Sequence, residues 1–358
     1  MLVLSHPRSG STEICRIIEN CLKTPGTVSI SLGEFFNVAD RTSFGNAIDV
    51  NNHFRSSTEP VTVNILILDI EKFLTKKLVR LWKNQVLPNH VLSEVYMTFN
   101  SSDEFKSWLY DERIRRLKLI NSVTDFRTIK HFITLFDTPV DNEFETKFNR
   151  ELIVSQIEKD EFAFSYRKNL LETVFSGLIK TYYIDQSRVN NPDNDFLNII
   201  ADGHNLHDMP VLEPKPIKIR GYPFTLDTIS SYHEIDGIVL TNLMLFEFYH
   251  LVVSKLSVDN ILCYEDIIET QKLTLTHEGK TQVYNIADLP PRIIYEFSGD
   301  GTVKKELQEK KMNYGDYAYE DYFTNSYVVH EVIETKINEI ESRSPGFKDT
   351  LDKLGIIY

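Results

Sequence analysis

The residues best suited to chemistry stand near the start of the chain, in His6-Pro7-Arg8-Ser9-Gly10-Ser11-Thr12. Their types fit the holding of a phosphate. A Ser/Gly turn presents backbone N–H groups to an anion, and the unpaired amides and dipole of a following helix favour negative charge there. Ser11 and Thr12 add hydroxyl donors, and Arg8 adds a fixed cation whose planar fork matches phosphate oxygens. The Walker pattern G-x-x-x-x-G-K-[ST] is not met, because its first glycine and its lysine are both absent.

The elements around this segment are those such a site needs. Leu2-Val3-Leu4 reads as a strand, and Thr12 to Leu22 as a helix with Ile14, Ile17, Ile18 and Leu22 on one face. A second strand-like run, Glu161 to Tyr166, leads into Arg167-Lys168-Asn169. A helix striped by Leu171, Val174, Phe175, Leu178, Ile179 and Tyr182 then follows. Ser176 falls off that stripe, and the basic pair stands at the helix start, where a dianion is well held.

Pro-Arg-Ser-Gly-Ser-Thr resembles the 5′-phosphosulfate loop of the sulfotransferases, P-[KR]-S-G-[ST]-[ST]. Arg167-Lys168-Asn169 through Ser176 is similar to the family's 3′-phosphate segment, R-[RK]-N-x-x-x-x-x-x-S, and Tyr264-Glu265-Asp266-Ile267 to its late Y-E-D-[LI] strand. The three occur in the family's order. The resemblance implies a three-layer α/β/α fold with a mainly parallel central sheet, P-loop NTPase-like. It also implies 3′-phosphoadenosine 5′-phosphosulfate as donor, without a metal. Arg8, Ser9, Gly10, Ser11 and Thr12 would surround the 5′-phosphate, while Arg167 or Lys168 would bind the 3′-phosphate together with Ser176. Glu34 follows the loop by one helix and one short strand, where many members with a Pro-Arg loop carry a catalytic Glu. Phe35 and Phe36 beside it would desolvate the carboxylate and raise its pKa, as a general base requires. His53 is the alternative base, since cytosolic members use a His after a later strand. Tyr264, Glu265 and Asp266 read as structural.

Composition bounds the reading. A chain of 358 residues, 42 % hydrophobic and 25 % charged, is an ordinary globular composition, with room for one large α/β domain and a second small lobe. Its net charge of −13 argues against nucleic acid and anionic membranes as partners. A small molecule or a glycan is the expected acceptor. Cys15, Cys21 and Cys263 lack metal-site spacing and read as reduced, mostly buried thiols. With a strand beginning at residue 2 and no apolar run of about 18 residues, neither a signal peptide nor a membrane span is expected, and the setting is expected to be cytoplasmic.

The rest of the chain is read more coarsely. Residues 38–150 are expected to be a mainly helical, acceptor-side insertion. Within it are a loop over 38–60, a strand over Val61–Leu68 and a helix marked by Ile70, Phe73, Leu74, Leu78 and Leu81. A second helix is capped by Ser101-Ser102-Asp103-Glu104, and a short strand spans Phe132–Phe136. Residues 185–216 read as an irregular loop over the site; His204 and His207 share it with Asp202 and Asp208. Leu243–Leu256 is a buried helix. The extension 270–358 reads as a hairpin, a loop rich in Lys (Lys304, Lys305, Lys310, Lys311) and Tyr (Tyr314, Tyr317, Tyr319, Tyr322), and a helix over Val328–Ile340. Two rivals stay open. One is a P-loop nucleotide kinase or other phosphotransferase, with Asp69 placed to hold Mg²⁺; the other is a non-catalytic nucleotide-binding module.

Overall fold

The computed structural model describes residues 1–6, 9–22, 29–31, 53–54, 57–68, 92–123, 126–132, 154, 157, 161–179, 212–213, 215, 217–219, 222–224, 235–289, 292–297, 303–308 and 322–358. The chain, expected to be one domain, divides into two compact units. The first comprises Met1–Ser5, Ser11–Ser165 and Val258–Lys311, the second His6–Gly10, Tyr166–Ser257 and Met312–Tyr358.

The first unit is built on a five-stranded sheet. Its strands are β1 (Leu2–Ser5), β2 (Ser29–Ser31), β5 (Phe126–Phe132), β6 (Phe162–Tyr166) and β9 (Ile261–Cys263), in the order β2-β5-β1-β6-β9. β1 pairs in parallel with β5, from Leu2↔Ile129 to Ser5↔Phe132, and with β6, from Leu2↔Phe162 to Leu4↔Phe164; β2 is parallel to β5. All four residues of β1 and all five of β6 are buried, as central parallel strands covered on both faces must be. From β1 the chain moves outward to β2, returns through β5, and then crosses β1 to reach β6. The strand order therefore reverses between β1 and β6.

Helix α1 (Ser11–Leu22) buries Ile14, Cys15, Ile17 and Ile18 in a core shared with Met1, Val3, Ala163 and Leu262. Asn260 ties this sheet to the hairpin of β10 (Lys272–His277) and β11 (Lys280–Asn285). Its amide nitrogen donates to the Phe162 and Thr276 carbonyls, and its amide oxygen accepts from the Thr276 N–H.

The same unit holds the antiparallel hairpin β3 (Val61–Leu68) and β4 (Leu92–Phe99), followed by helix α2 (Ser102–Val123). Ser101 caps α2 by accepting the Glu104 N–H at 3.1 Å. The Glu104 carboxylate reaches back to the Asn100 amides, one residue earlier than a standard capping box. Phe105 and Leu109 are buried, and the Phe99, Phe105 and Trp108 rings cluster within 5.1–6.2 Å.

Among its described residues the second unit is mainly helical, with a short antiparallel hairpin of β7 (Ile217–Ile219) and β8 (Tyr222–Phe224). α3 (Leu170–Ile179), α4 (Ile235–Leu251), α6 (Tyr327–Arg343) and α7 (Phe347–Lys353) pack with α4 against the other three. Gly177 lets α3 approach closely, since a Cβ there would meet Ile238 Cγ2 at 3.2 Å. Glu247 of α4 is fully buried and held by a forked pair of bonds from Arg343 at 2.8 and 2.7 Å, with Ser344 Oγ at 3.1 Å.

Several expectations are corrected. Among the described residues, 38–150 contribute helix α2, β5, the neighbour of β1, and the β3–β4 hairpin. Of the strand expected over Phe132–Phe136, Phe132 is the last residue of β5, and 133–136 fall outside the described residues. Tyr264-Glu265-Asp266 is not a strand but the first turn of helix α5 (Tyr264–Thr270), because β9 ends at Cys263. Acidic side chains suit that turn, and Tyr264 and Ile267, one turn apart, are its buried pair. Lys304 and Lys305 lie on β13 (Val303–Gln308), paired with β12 (Arg292–Phe297), rather than in a loop. Among the described residues, one segment, Ile235–Lys255, is long and apolar enough to cross a membrane by length and composition alone. Its fully buried Glu247, bonded to Arg343, and its buried Val239, Leu243, Leu245 and Phe246 pack it within the second unit. The helix expected from Ile70 to Leu81, Tyr182, and nearly all of 185–216 lie outside the described residues.

Candidate functional site

In the first segment, β1 ends at Ser5 and α1 begins at Ser11. Between them Ser9 turns back on the loop. Its hydroxyl donates to the His6 carbonyl at 2.7 Å, and its amide reaches the same oxygen at 3.4 Å. Ser9 is fully buried, and its single hydroxyl proton is spent inside the loop. Ser9 therefore shapes the turn rather than donating to an anion. Gly10 follows with φ +76°, the left-handed conformation that a side chain resists, and it brings the chain into the helix. Ser11 is buried and Thr12 half-buried at the start of α1. Glu13, also in the first turn, would repel an anion, but Arg16 grips its carboxylate through Nε at 3.0 Å and Nη2 at 2.6 Å. Arg8 and Glu34 lie outside the described residues.

β1 and β6 carry a matched pair of hydroxyls at their carboxyl ends. One residue beyond the Leu4↔Phe164 pair, Ser5 and Ser165 are both buried, and neither Oγ has a hydrogen-bond partner. In parallel α/β sheets the crevice at such a reversal of strand order is where ligands bind.

In the second segment, β6 runs into Arg167-Lys168-Asn169 and then α3. Asn169 is the helix N-cap: its side-chain oxygen accepts the Glu172 N–H at 2.9 Å. The Thr173 N–H goes to the Asn169 carbonyl, and the Leu170 N–H to the carbonyls of Lys168 and Ile357. The amides of Leu170, Glu172 and Thr173 are thus engaged, so an anion here would be held chiefly by side chains. Arg167 is partly committed to Glu172 at 2.8 Å, and Lys168 is half-buried. Ser176 is buried rather than on a polar face. α3 also buries Leu170, Thr173, Val174, Phe175, Leu178 and Ile179, which leaves little surface for such a face.

Ser9, Gly10, Arg167, Lys168 and Ser176 all belong to the second unit; Ser11 and Thr12 belong to the first. Within the second unit one residue serves both segments. The Phe246 ring of α4 stands 5.8 Å from that of His6 and 6.2 Å from that of Tyr166, the residue before Arg167. Sequence reading missed this aromatic link, and nothing in the local pattern of α4 distinguishes Phe246 from its other buried apolar residues.

The remaining candidates are placed more simply. The His53 ring nitrogen Nε2 lies 2.8 Å from the Glu59 carbonyl in a local turn. Tyr322 and Phe323 are buried core, with Phe323 stacked on Phe175 at 6.1 Å. Burial pushes the Cys21 and Cys263 thiols up to about 11, which keeps both protonated and unreactive near neutrality. Among the described residues no cluster of three or more His, Cys, Asp or Glu could hold a metal. Asp69, His204, His207, Lys310, Lys311, Tyr314, Tyr317 and Tyr319 lie outside the described residues. No protein-family model, curated protein or solved structure matches the chain.

Proposed function

We propose that the chain is a sulfotransferase. It would move the sulfuryl group of 3′-phosphoadenosine 5′-phosphosulfate to a hydroxyl or amine of a small molecule or glycan, on a P-loop-like α/β/α scaffold. The observation that carries the reading is the turn after β1. A buried central parallel strand, next to the reversal of strand order, leads through a glycine at φ +76° directly into a twelve-residue helix. That is a setting in which backbone amides receive a phosphate.

In the proposed reaction the acceptor oxygen attacks sulfur. A new S–O bond forms as the S–O bond to the 5′-phosphate breaks, and the 3′,5′-bisphosphate departs. Arg8 and the turn amides would neutralise the leaving phosphate, and Glu34 would take the acceptor proton. Arg167 or Lys168, with Ser176, would recognise the 3′-phosphate. Ser9 builds the turn and Asn169 closes the first turn of α3, so contact with the anions would fall to their neighbours.

Calorimetric titration with 3′-phosphoadenosine 5′-phosphate, AMP, ATP and GTP tests the reading. The bisphosphate is expected to bind tightest. Tighter ATP or GTP binding would favour a phosphotransferase, and equal affinities for the bisphosphate and AMP would remove the 3′-phosphate site. With an acceptor found from a panel of alcohols and amines, Glu34→Gln should lower turnover by about 10²–10⁴-fold with donor binding kept. Unchanged turnover would move the base to His53.

A further inference from the structure

We infer that Leu354–Ile357 form a backbone clamp that sets the position of Lys168, and that this clamp governs recognition of the donor's 3′-phosphate. The inference rests on the proposed reading of Arg167–Ser176 as the 3′-phosphate segment.

The clamp begins with the end of α7. The Ile356 N–H bonds the Leu351 carbonyl at 2.9 Å, and the Gly355 N–H bonds that of Asp352 at 3.0 Å. These are the two bonds of a Schellman termination, whose left-handed residue is Gly355 at φ +67°. Leu351 and Ile356 are both buried, as the accompanying apolar contact requires. The turn delivers the next residue to the start of α3 as a one-residue parallel bridge, Asn169↔Ile357. The Ile357 N–H donates to the Lys168 carbonyl at 2.8 Å, and the Ile357 carbonyl accepts the Leu170 N–H at 3.0 Å. Two further contacts flank the bridge. The Tyr166 hydroxyl donates to the Leu354 carbonyl at 3.1 Å from 188 positions away in sequence, and Lys168 Cε lies 3.7 Å from where a Gly355 Cβ would stand.

Both peptide groups that flank the backbone of Asn169 are therefore held by one distant residue, while Tyr166 fixes the strand end before them. The Ile357 side chain is itself largely exposed, at 63 %, so its main-chain groups make the tie. A lysine recognises phosphate as a point charge on a flexible stem. Its discrimination then depends on where its backbone is anchored, and the anchor here is the Ile357 peptide.

The test uses the full chain and reads the ratio of affinities for 3′-phosphoadenosine 5′-phosphate and AMP. In the wild type a ratio of one would overturn the underlying reading, and the inference with it. Given a preference for the bisphosphate, Ile357→Pro, which deletes the bridging N–H, is expected to lower that ratio about five- to tenfold, the loss of one hydrogen bond's worth of positioning. AMP affinity should stay unchanged. Ile357→Ala keeps the N–H and should keep the ratio. An unchanged ratio in Ile357→Pro, an equal loss for both nucleotides, or the same loss in Ile357→Ala would each overturn the clamp while leaving the sulfotransferase reading intact. If Ile357→Pro fails to fold, Tyr166→Phe decides: a ratio lowered about two- to fivefold supports the clamp, and an unchanged ratio overturns it.

Discussion

Two strand-to-helix turns follow neighbouring parallel strands, and their hydrogen bonds reach different distances along the chain. The turn after β1 has local bonds, with Ser9 bonded to His6 three positions back and Gly10 supplying the left-handed step, while the distant Phe246 meets it through a ring contact with His6. The turn after β6 is fastened both locally, by its Asn169 cap, and from far along the chain, by Leu354 and Ile357. The local hydrogen bonds of the first turn can form as soon as its strand and helix do. The other is complete only when α7 has folded and delivered its Schellman turn.

That contrast can be broken at each side. The largest effect is expected at Gly10. Gly10→Ala forces a side chain into the left-handed region and should destabilise the turn by about 1–2 kcal/mol, seen as faster hydrogen exchange in α1 with α3 unaffected. Equal acceleration in both helices would mean the first turn is not local. At the second turn, Asn169→Ala removes the cap and should cost about 1 kcal/mol in α3. Asn169→Asp keeps the acceptor and should restore that stability while weakening 3′-phosphate binding by like-charge repulsion. If Asn169→Asp binds the bisphosphate as tightly as the wild type, no anion approaches this helix start.

The smallest effect separates the units by pH. All three cysteines lie in the first unit, and burial raises Cys21 and Cys263 from 9.0 to about 11. Arg16 opposes the rise at Cys21, whereas Glu265 and Asp266 add charge repulsion at Cys263. A group whose folded pKa is raised stabilises the fold below its unfolded value and loses that contribution as pH climbs through the folded value. Thermal melts should therefore show a modest loss between pH 9 and 11 that the Cys21→Ala/Cys263→Ala double variant lacks. A double variant that loses as much as the wild type would exclude the thiols as the cause.

The same contrast explains what could be read from sequence. The β1 turn is legible because strand, glycine and helix are contiguous and each obeys a local rule. β3 is legible from its β-branched run, and α6 from its periodicity. β4 carried a usable signal that was passed over: Val95, Met97 and Phe99 are half-buried or buried, alternating with exposed Tyr96 and Thr98, which is a period of two. The burial of Ser176 was not legible, because one apolar stripe does not reveal that a second face of α3 is covered as well. The clamp was illegible for a related reason. Gly355 announces a helix end, but nothing local says that the Ile357 amide will meet the carbonyl of Lys168, far upstream in the chain. The place of β5 beside β1 is likewise a fact of topology rather than of pattern.

The buried carboxylate of α4 has a consequence for how the protein is made. Glu247 and Arg343 are 96 residues apart, so on the ribosome the apolar helix emerges roughly 5–20 s before the guanidinium that neutralises it. Throughout that interval the nascent chain displays a segment with the length and hydropathy of a membrane span and one uncompensated charge in its middle. The completed protein buries Glu247 against Arg343, but its synthesis passes through the uncompensated state on every round of translation. Slowing elongation between the codons for Glu247 and Arg343 would lengthen it.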